Sequence, residues 1–202
     1  HFELCMELGA RERSLLCVPA SHVTGLVATV FTMLQTAGCT VMMEHFGAHE
    51  FLSLTADEKV TQTLMVPAMY NLFLLRCNVE DYDLQHWRIG GYGGAPMPQS
   101  TISELSEKLP NLCLMNAYGA TELTSAVTIL PMGFGTKRAD SIGIAVPCAR
   151  LATCTNHHPH PVTALDMVGQ RLEAGATAFG KLPAERLAGE IQLVDVVVDI
   201  VE

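Results

Sequence analysis

Charge is scarce in this chain. Only 16% of its 202 residues are Asp, Glu, Lys or Arg, while 49% are hydrophobic. A disordered segment needs the opposite balance, so the chain has enough apolar mass for one large domain or two small ones. Basic residues are scarcer still: 12 Lys and Arg stand against 21 Asp and Glu, for a net charge of −9. Tracking phosphates requires clustered Lys and Arg, and no basic run occurs, which excludes nucleic acid as the main partner. Long apolar runs are missing too. The stretch from Val23 to Gly38 is interrupted by Thr29, Thr32, Gln35 and Thr36, so no transmembrane segment is expected. The cysteines, at 5, 17, 39, 77, 113, 148 and 154, form no Cys-x-x-Cys pair. They read as reduced, mostly buried thiols rather than a disulfide framework or a zinc site. No signal-peptide pattern opens the chain, and a cytoplasmic location is expected. The first residue is His1, not Met, which suggests a piece of a longer polypeptide.

What is present is an alternation. Residues 14–18 form a short apolar run closed by Pro19, as a buried strand does. From Val23 to Ala37 the spacing of Leu26, Val30, Met33 and Leu34 predicts a helix with these side chains inward and Gly38 as its stop. Strands are predicted at 39–43, 60–66, 87–91 and 112–115, and helices at 49–59, from Pro67 through Arg76, and from Pro98 through Leu109. Short apolar strands alternating with amphipathic helices imply an α/β fold, a mostly parallel sheet with helices on both faces. Beyond residue 130, Pro131, Gly133, Gly135, Pro147, Pro159 and Pro161 break the alternation, and the run 189–201 is strand-like. The expected organisation is an α/β part over 1–130 and a smaller β-rich part over 131–202.

In such a sheet, right-handed crossovers bring functional loops to the carboxyl ends of the strands. Three loops carry chemistry. Gly90-Gly91-Tyr92-Gly93-Gly94-Ala95-Pro96-Met97-Pro98 joins a strand to a helix. Its glycines let a flat or charged ligand touch the backbone, and the helix start offers free N–H groups; it is equally the wording of a tight turn. Asn116-Ala117-Tyr118-Gly119-Ala120-Thr121-Glu122 supplies an aromatic face, a hydroxyl and a carboxylate able to hold Mg²⁺. The competing reading is a helix start with Thr121 and Glu122 as caps. Pro19-Ala20-Ser21-His22-Val23-Thr24-Gly25 sets His22 before an apolar helix, either structurally or at a pocket mouth.

The three loops together resemble the adenylate-forming (AMP-binding) superfamily of acyl-CoA synthetases, luciferases and peptide-synthetase adenylation domains. Tyr118-Gly-Ala-Thr-Glu122 resembles its tyrosine motif, Gly93 to Pro98 its Gly-Gly-Ala/Glu-Pro loop, and Pro19 with His22 to Gly25 its histidine loop. Val66-Pro67-Ala68-Met69-Tyr70 and Ser141 to Pro147 are similar to further family segments. The resemblance implies ATP-dependent activation of a small-molecule carboxylic acid as an acyl-adenylate, followed by transfer to a thiol such as coenzyme A. It also implies roles. Gly93, Gly94, Ala95 and Pro96, with Asn116, Ala117, Tyr118 and Gly119, would hold the adenine. Thr121 would contact the α-phosphate and Glu122 the Mg²⁺. His22 would face the carboxylate or the pantetheine tunnel, and Gly91 and Tyr92 would border the acyl pocket.

Departures from the family are equally legible. Its phosphate loop ending in Pro-Lys-Gly, its Thr-Gly-Asp segment and its C-terminal catalytic Lys are not found in the sequence. A central fragment of the N-terminal domain is therefore expected, inactive as residues 1–202 alone. The alternatives are a non-catalytic nucleotide-binding or interaction module of the same fold, and an unrelated α/β protein. His157-His158-Pro159-His160 does not complete a tetrahedral metal set, and Trp87 reads as packing.

Overall fold

The structure, a computed structural model, describes residues 1–147, 149–153 and 196–200. They form two compact units, His1–Val146 and Pro147–Glu202. In the second unit β8 (Ala149–Thr153) pairs antiparallel with β9 (Val196–Ile200). The His157–His160 run, and residues 189–195 of the run expected to be strand-like, lie outside the described residues.

The first unit is built on seven strands: β1 (Arg13–Leu16), β2 (Cys39–Met42), β3 (Gln62–Met65), β4 (Ile89–Gly93), β5 (Cys113–Ala120), β6 (Ser125–Ile129) and β7 (Ile144–Ala145). Their spatial order is β2-β1-β3-β4-β5-β6-β7. The first five run parallel, and β6 and β7 add antiparallel strands at one end. The break in pattern expected at residue 130 thus falls inside this sheet. Central β3 is buried at all four positions, as a strand covered on both faces must be.

Chain direction decides where the helices go. From β1 the chain steps outward to β2, then returns past β1 to lay down β3, β4 and β5. With right-handed crossovers, the helix between β1 and β2 lies on one face, and α3 (Ala48–Asp57), α4 (Pro67–Arg76) and α5 (Gln99–Lys108) lie on the other. The main core belongs to the three-helix face. Phe51 of α3 stacks on Phe73 of α4 at 5.7 Å between centroids and meets Trp87 edge-on at 5.5 Å. Such pairs add ~0.5–1.5 kcal/mol beyond burial. Trp87 is packing, as expected: its Nε1 donates to the Ile89 carbonyl at 3.0 Å and to Thr63 Oγ1 at 3.2 Å. At the amino end of the sheet, Glu12 joins Arg88 to Thr61 and so ties three strands together.

A four-residue turn, α1 (Phe2–Cys5), precedes β1, and the helix after it, α2, departs from its expected form. It is π-wound over Thr24–Phe31 and α-helical over Thr32–Gln35. The wide turns bring the Thr32 hydroxyl to the Val27 carbonyl, five residues back, at 3.0 Å. The buried stripe is Gly25, Ala28, Thr29, Thr32, Met33 and Thr36, while Leu26 and Leu34, expected inward, are exposed, Leu34 by 73%. The reason is distance. A Cβ at Gly25 would lie 2.4 Å from the Pro19 carbonyl oxygen, so the start of the helix packs on the loop after β1 with no room for a large side chain. The stop also differs by one position. Ala37, not Gly38, takes the left-handed conformation (φ 52°), and the Gly38 N–H caps the Met33 carbonyl at 2.8 Å. Gly38 is needed for space: a Cβ there would meet Met33 Sδ at 2.7 Å and the Glu12 carbonyl at 2.9 Å.

Ala37→Gly is accordingly expected to stabilise the protein by about 1 kcal/mol, since a left-handed L-residue costs ~1–2 kcal/mol, whereas Gly38→Ala destabilises it. Chemical denaturation of the two variants beside wild type checks the opposite signs.

A second expectation concerns alkali. Burial pushes the Cys17 thiol up to about 12 from 9.0, and burial also raises the Tyr70 phenol. Both groups hold their protons more tightly folded than unfolded, so their contribution is full below pH 9. It falls as pH rises toward 12, by up to ~1.4 kcal/mol per pH unit for each group that ionises only on unfolding. Urea midpoints should drop across this window, and Cys17→Ala should remove the part of the slope that begins near pH 9.

Candidate active site

The reversal of winding between β1 and β3 leaves a crevice at the carboxyl ends of the strands, where open α/β sheets take ligands. A cavity of about 740 Å³ sits there, large for a small-molecule site. Val18 and Pro19 enter from the end of β1, Leu64, Met65 and Val66 from β3, and Gly93 and Gly94 from β4. Ala117, Gly119, Ala120 and Thr121 come from β5 and its turn, and Ser125 and Ala126 from β6. His22 and Thr24 close it from the start of α2. The inner wall is apolar, with Phe2, Phe46 and Met69 joining the β3 residues. No Asp, Glu, Lys or Arg side chain contributes to the described wall, so its polarity comes from backbone, hydroxyls and His22.

The three loops singled out in the sequence thus meet at one cavity, though not every residue in them faces it. His22, Gly93, Gly94, Ala117, Gly119 and Thr121 are in the wall. Ala95 and Pro96 follow Gly94 as exposed residues, and Glu122 is exposed beside Thr121. Tyr118 is 39% exposed between two wall residues. Asn116 is spent on structure: its Nδ2 donates to the Ser141 carbonyl at 3.1 Å. Gly91 and Tyr92, expected at the pocket border, are buried in β4. Tyr92 packs in the core cluster with Tyr70 and Trp87, because alternate residues of a strand face opposite sides. A Cβ at Gly91 would overlap Leu64 at 2.5 Å, so this glycine lets β3 and β4 pack closely.

The segment 116–122, expected as a loop, continues β5 as far as Ala120. A single 3₁₀ turn, Thr121–Leu123, then reverses the chain into β6. The register shifts between Tyr118 and Gly119, and a Cβ at Gly119 would lie 1.9 Å from the Ser125 carbonyl oxygen. The tight crossing also forces Thr124 (φ 60°) and Ser125 (φ 124°) into conformations that favour glycine. Such residues cost on the order of 1–3 kcal/mol each and gather at functional sites. On the neighbouring strand Gly93 pairs with Ala117, so the glycine loop and the Tyr118–Glu122 turn leave the sheet side by side.

At the opposite wall His22 is held locally. Its Nδ1 accepts the Thr24 N–H at 3.2 Å and lies 3.1 Å from the Thr24 hydroxyl.

A model of AMP-binding enzymes matches residues 2–165. The chain belongs to the AMP-binding enzyme family. It is 29% identical over 131 residues to a probable 4-coumarate–CoA ligase of Dictyostelium discoideum, covering 64% of this chain and 23% of that protein. It is 34% identical over 118 residues to the luciferin 4-monooxygenase of Photuris pensylvanica, covering 58% and 21%. Among solved structures, the N-terminal domain of FACL13 from Mycobacterium tuberculosis superposes with a TM-score of 0.71 at 26% identity, over 77% of this chain and 39% of that one. O-succinylbenzoate coenzyme A synthetase of Bacillus subtilis, solved with ATP and magnesium, shares the fold with a TM-score of 0.69 at 22% identity, over 78% and 32%. This chain therefore spans about a quarter or less of the curated relatives' length.

Sequence reasoning found the glycine loop, the tyrosine motif and the histidine. It missed Phe2, Phe46, Met69 and Ser125 as wall residues. The first three come from helix and loop positions with no chemical signature. Ser125 could have been reached by counting forward from the turn.

Gly119→Ala is expected to cost about 1–3 kcal/mol by overpacking, and Ser125→Gly to stabilise the same hairpin. Denaturation midpoints, with amide exchange across the β5–β6 pair, check both signs.

Proposed function

We propose that this chain forms part of an enzyme that uses ATP to activate a carboxylic acid and then passes the acyl group to a thiol, coenzyme A by preference. The observation that carries this is the pairing of Gly93 with Ala117, which sets the glycine loop beside the Tyr118–Glu122 turn and brings Gly93, Gly94 and Thr121 into the wall of one largely apolar cavity. Membership of the AMP-binding family and relatives named as CoA ligases support it.

The residues present fit a nucleotide. Gly94 is exposed with φ 75°, so its backbone is open to an adenine edge. Tyr118 offers a ring face for stacking, and Thr121 offers a hydroxyl to the α-phosphate. The site also fits Mg²⁺. That ion binds through one or two carboxylates plus substrate phosphates rather than through an all-protein cage. Glu122 would be that carboxylate; among the described residues no cluster of three His, Cys, Asp or Glu forms a cage. When bound, the ion would neutralise phosphate charge.

The reaction then divides along the cavity. The acid buries its body among Phe46, Met65 and Met69 and leaves its carboxylate at the polar end. A carboxylate oxygen forms a bond to the α-phosphorus as the bond to the β-phosphate oxygen breaks, and pyrophosphate departs. In the second step the thiol gives up its proton to solvent, its sulfur bonds to the acyl carbon, and the bond from that carbon to the phosphate oxygen breaks to release AMP. The nucleophile of the first step is already an anion, so the chain's contribution is orientation and charge placement. The experiment is carboxylate-dependent ATP–pyrophosphate exchange by the full polypeptide; nucleotide binding without exchange would favour a non-catalytic module.

In the same assay Glu122→Gln keeps the side chain's size and removes its charge. Exchange at limiting Mg²⁺ should fall at least ~10-fold, the equivalent of ~1.4 kcal/mol. Exchange equal to wild type removes Glu122 from the metal role.

A further inference from the structure

The contacts of His22 fix more than its position. Two groups of Thr24 converge on Nδ1, the backbone N–H at 3.2 Å and the hydroxyl at 3.1 Å. A backbone N–H can only donate, so Nδ1 must present its lone pair, and the proton of the neutral imidazole belongs on Nε2. The hydroxyl, able to act either way, then also donates. Nε2 has no hydrogen-bond partner among the described residues, and His22 lines the cavity.

We propose that Thr24 is a positioning residue that holds His22 as the Nε2–H tautomer, so that His22 meets a ligand in the cavity as a hydrogen-bond donor and not as a base. This rests on the carboxylate-activating reading and sharpens it. An N–H at the wall recognises an anionic or carbonyl oxygen, such as that of a carboxylate or an acyl phosphate. It cannot take a proton from an incoming thiol, because the nitrogen with the lone pair is occupied by Thr24. Thr24 follows β1 at the first position of the π-wound segment. The same close packing that fixes the helix start at Gly25 therefore also fixes the histidine two residues before Thr24.

Long-range ¹H–¹⁵N NMR of the imidazole nitrogens reads the tautomer without ligand or turnover. His22 resonances are assigned by their loss in His22→Ala, and spectra are recorded where the ring is neutral by its own titration. We expect the Nε2–H form to dominate in wild type and to persist in Thr24→Ser. It should lose at least half of its excess in Thr24→Val, which keeps the backbone N–H alone. A proton on Nδ1, or an even mixture of tautomers, in wild type overturns the assignment; an unchanged excess in Thr24→Val overturns the part given to the hydroxyl. The donor role is read separately in the full polypeptide. The deficit of His22→Ala in thioester formation should stay constant as pH rises and the thiol ionises unaided. A deficit that vanishes with rising pH means His22 acts as a base and sinks the proposal. Absence of any carboxylate-dependent exchange in wild type would instead refute the activation reading and leave the tautomer result standing.

Discussion

Between β1 and β3 the chain changes the direction in which it lays down strands, and neither helix layer can cover the gap this opens. Everything at the site follows from that gap. Parallel pairing brings the ends of β1, β3, β4 and β5 to one edge, so four loops distant in sequence share one crevice. The three helices on one face supply the core that holds the strands in register, through Phe51, Phe73 and Trp87. On the other face the first helix must sit almost on the backbone of the β1 loop, and that closeness dictates Gly25 and the small residues after it.

This explains which features could be read from the sequence. Short segments rich in apolar residues and closed by proline, 14–18 before Pro19 and 60–66 before Pro67, made β1 and β3 legible, and the amphipathic helices that cover β3 to β5 were legible too. The face of α2 was not. Periodicity weighs hydrophobicity and assigns Leu26 and Leu34 to the interior, whereas the packing there selects for small size and buries Thr29 and Thr32. Hydroxyls that bond carbonyls of their own helix can replace apolar side chains in that role. The end of β5 was misread for a related reason. Gly119 has the look of a loop residue, but its lack of a Cβ makes room for the Ser125 carbonyl within a strand pair.

At the site, the motifs were legible because close approach of one backbone to another demands glycine, at Gly93 against the Ala117 carbonyl and at Gly119 against the Ser125 carbonyl, and glycine is visible in sequence. The apolar wall was not, because Phe2, Phe46 and Met69 perform a task that any bulky side chain could perform. Tyr92 shows the limit of reading by proximity. It lies directly before the wall glycines Gly93 and Gly94 in sequence, yet the strand period of two turns it into the core.

The absence of charged side chains from the described wall has a chemical consequence. If the cavity takes a carboxylate, as proposed above, a buried counter-charge would hold that group too well and blunt its attack, because stabilising the ground state as much as the transition state leaves the barrier unchanged. A wall of backbone groups and hydroxyls offers directed but partial charges instead. Such charges can orient an anion without neutralising it, and Thr121 stands on the turn of a paired hairpin, followed by Thr124 and Ser125 in the conformations that favour glycine. The carboxylate of Glu122 stays outside that wall, exposed to solvent. Under the proposed function, such a cavity would bind through its apolar interior and place charge at its rim, leaving a carboxylate reactive between the two.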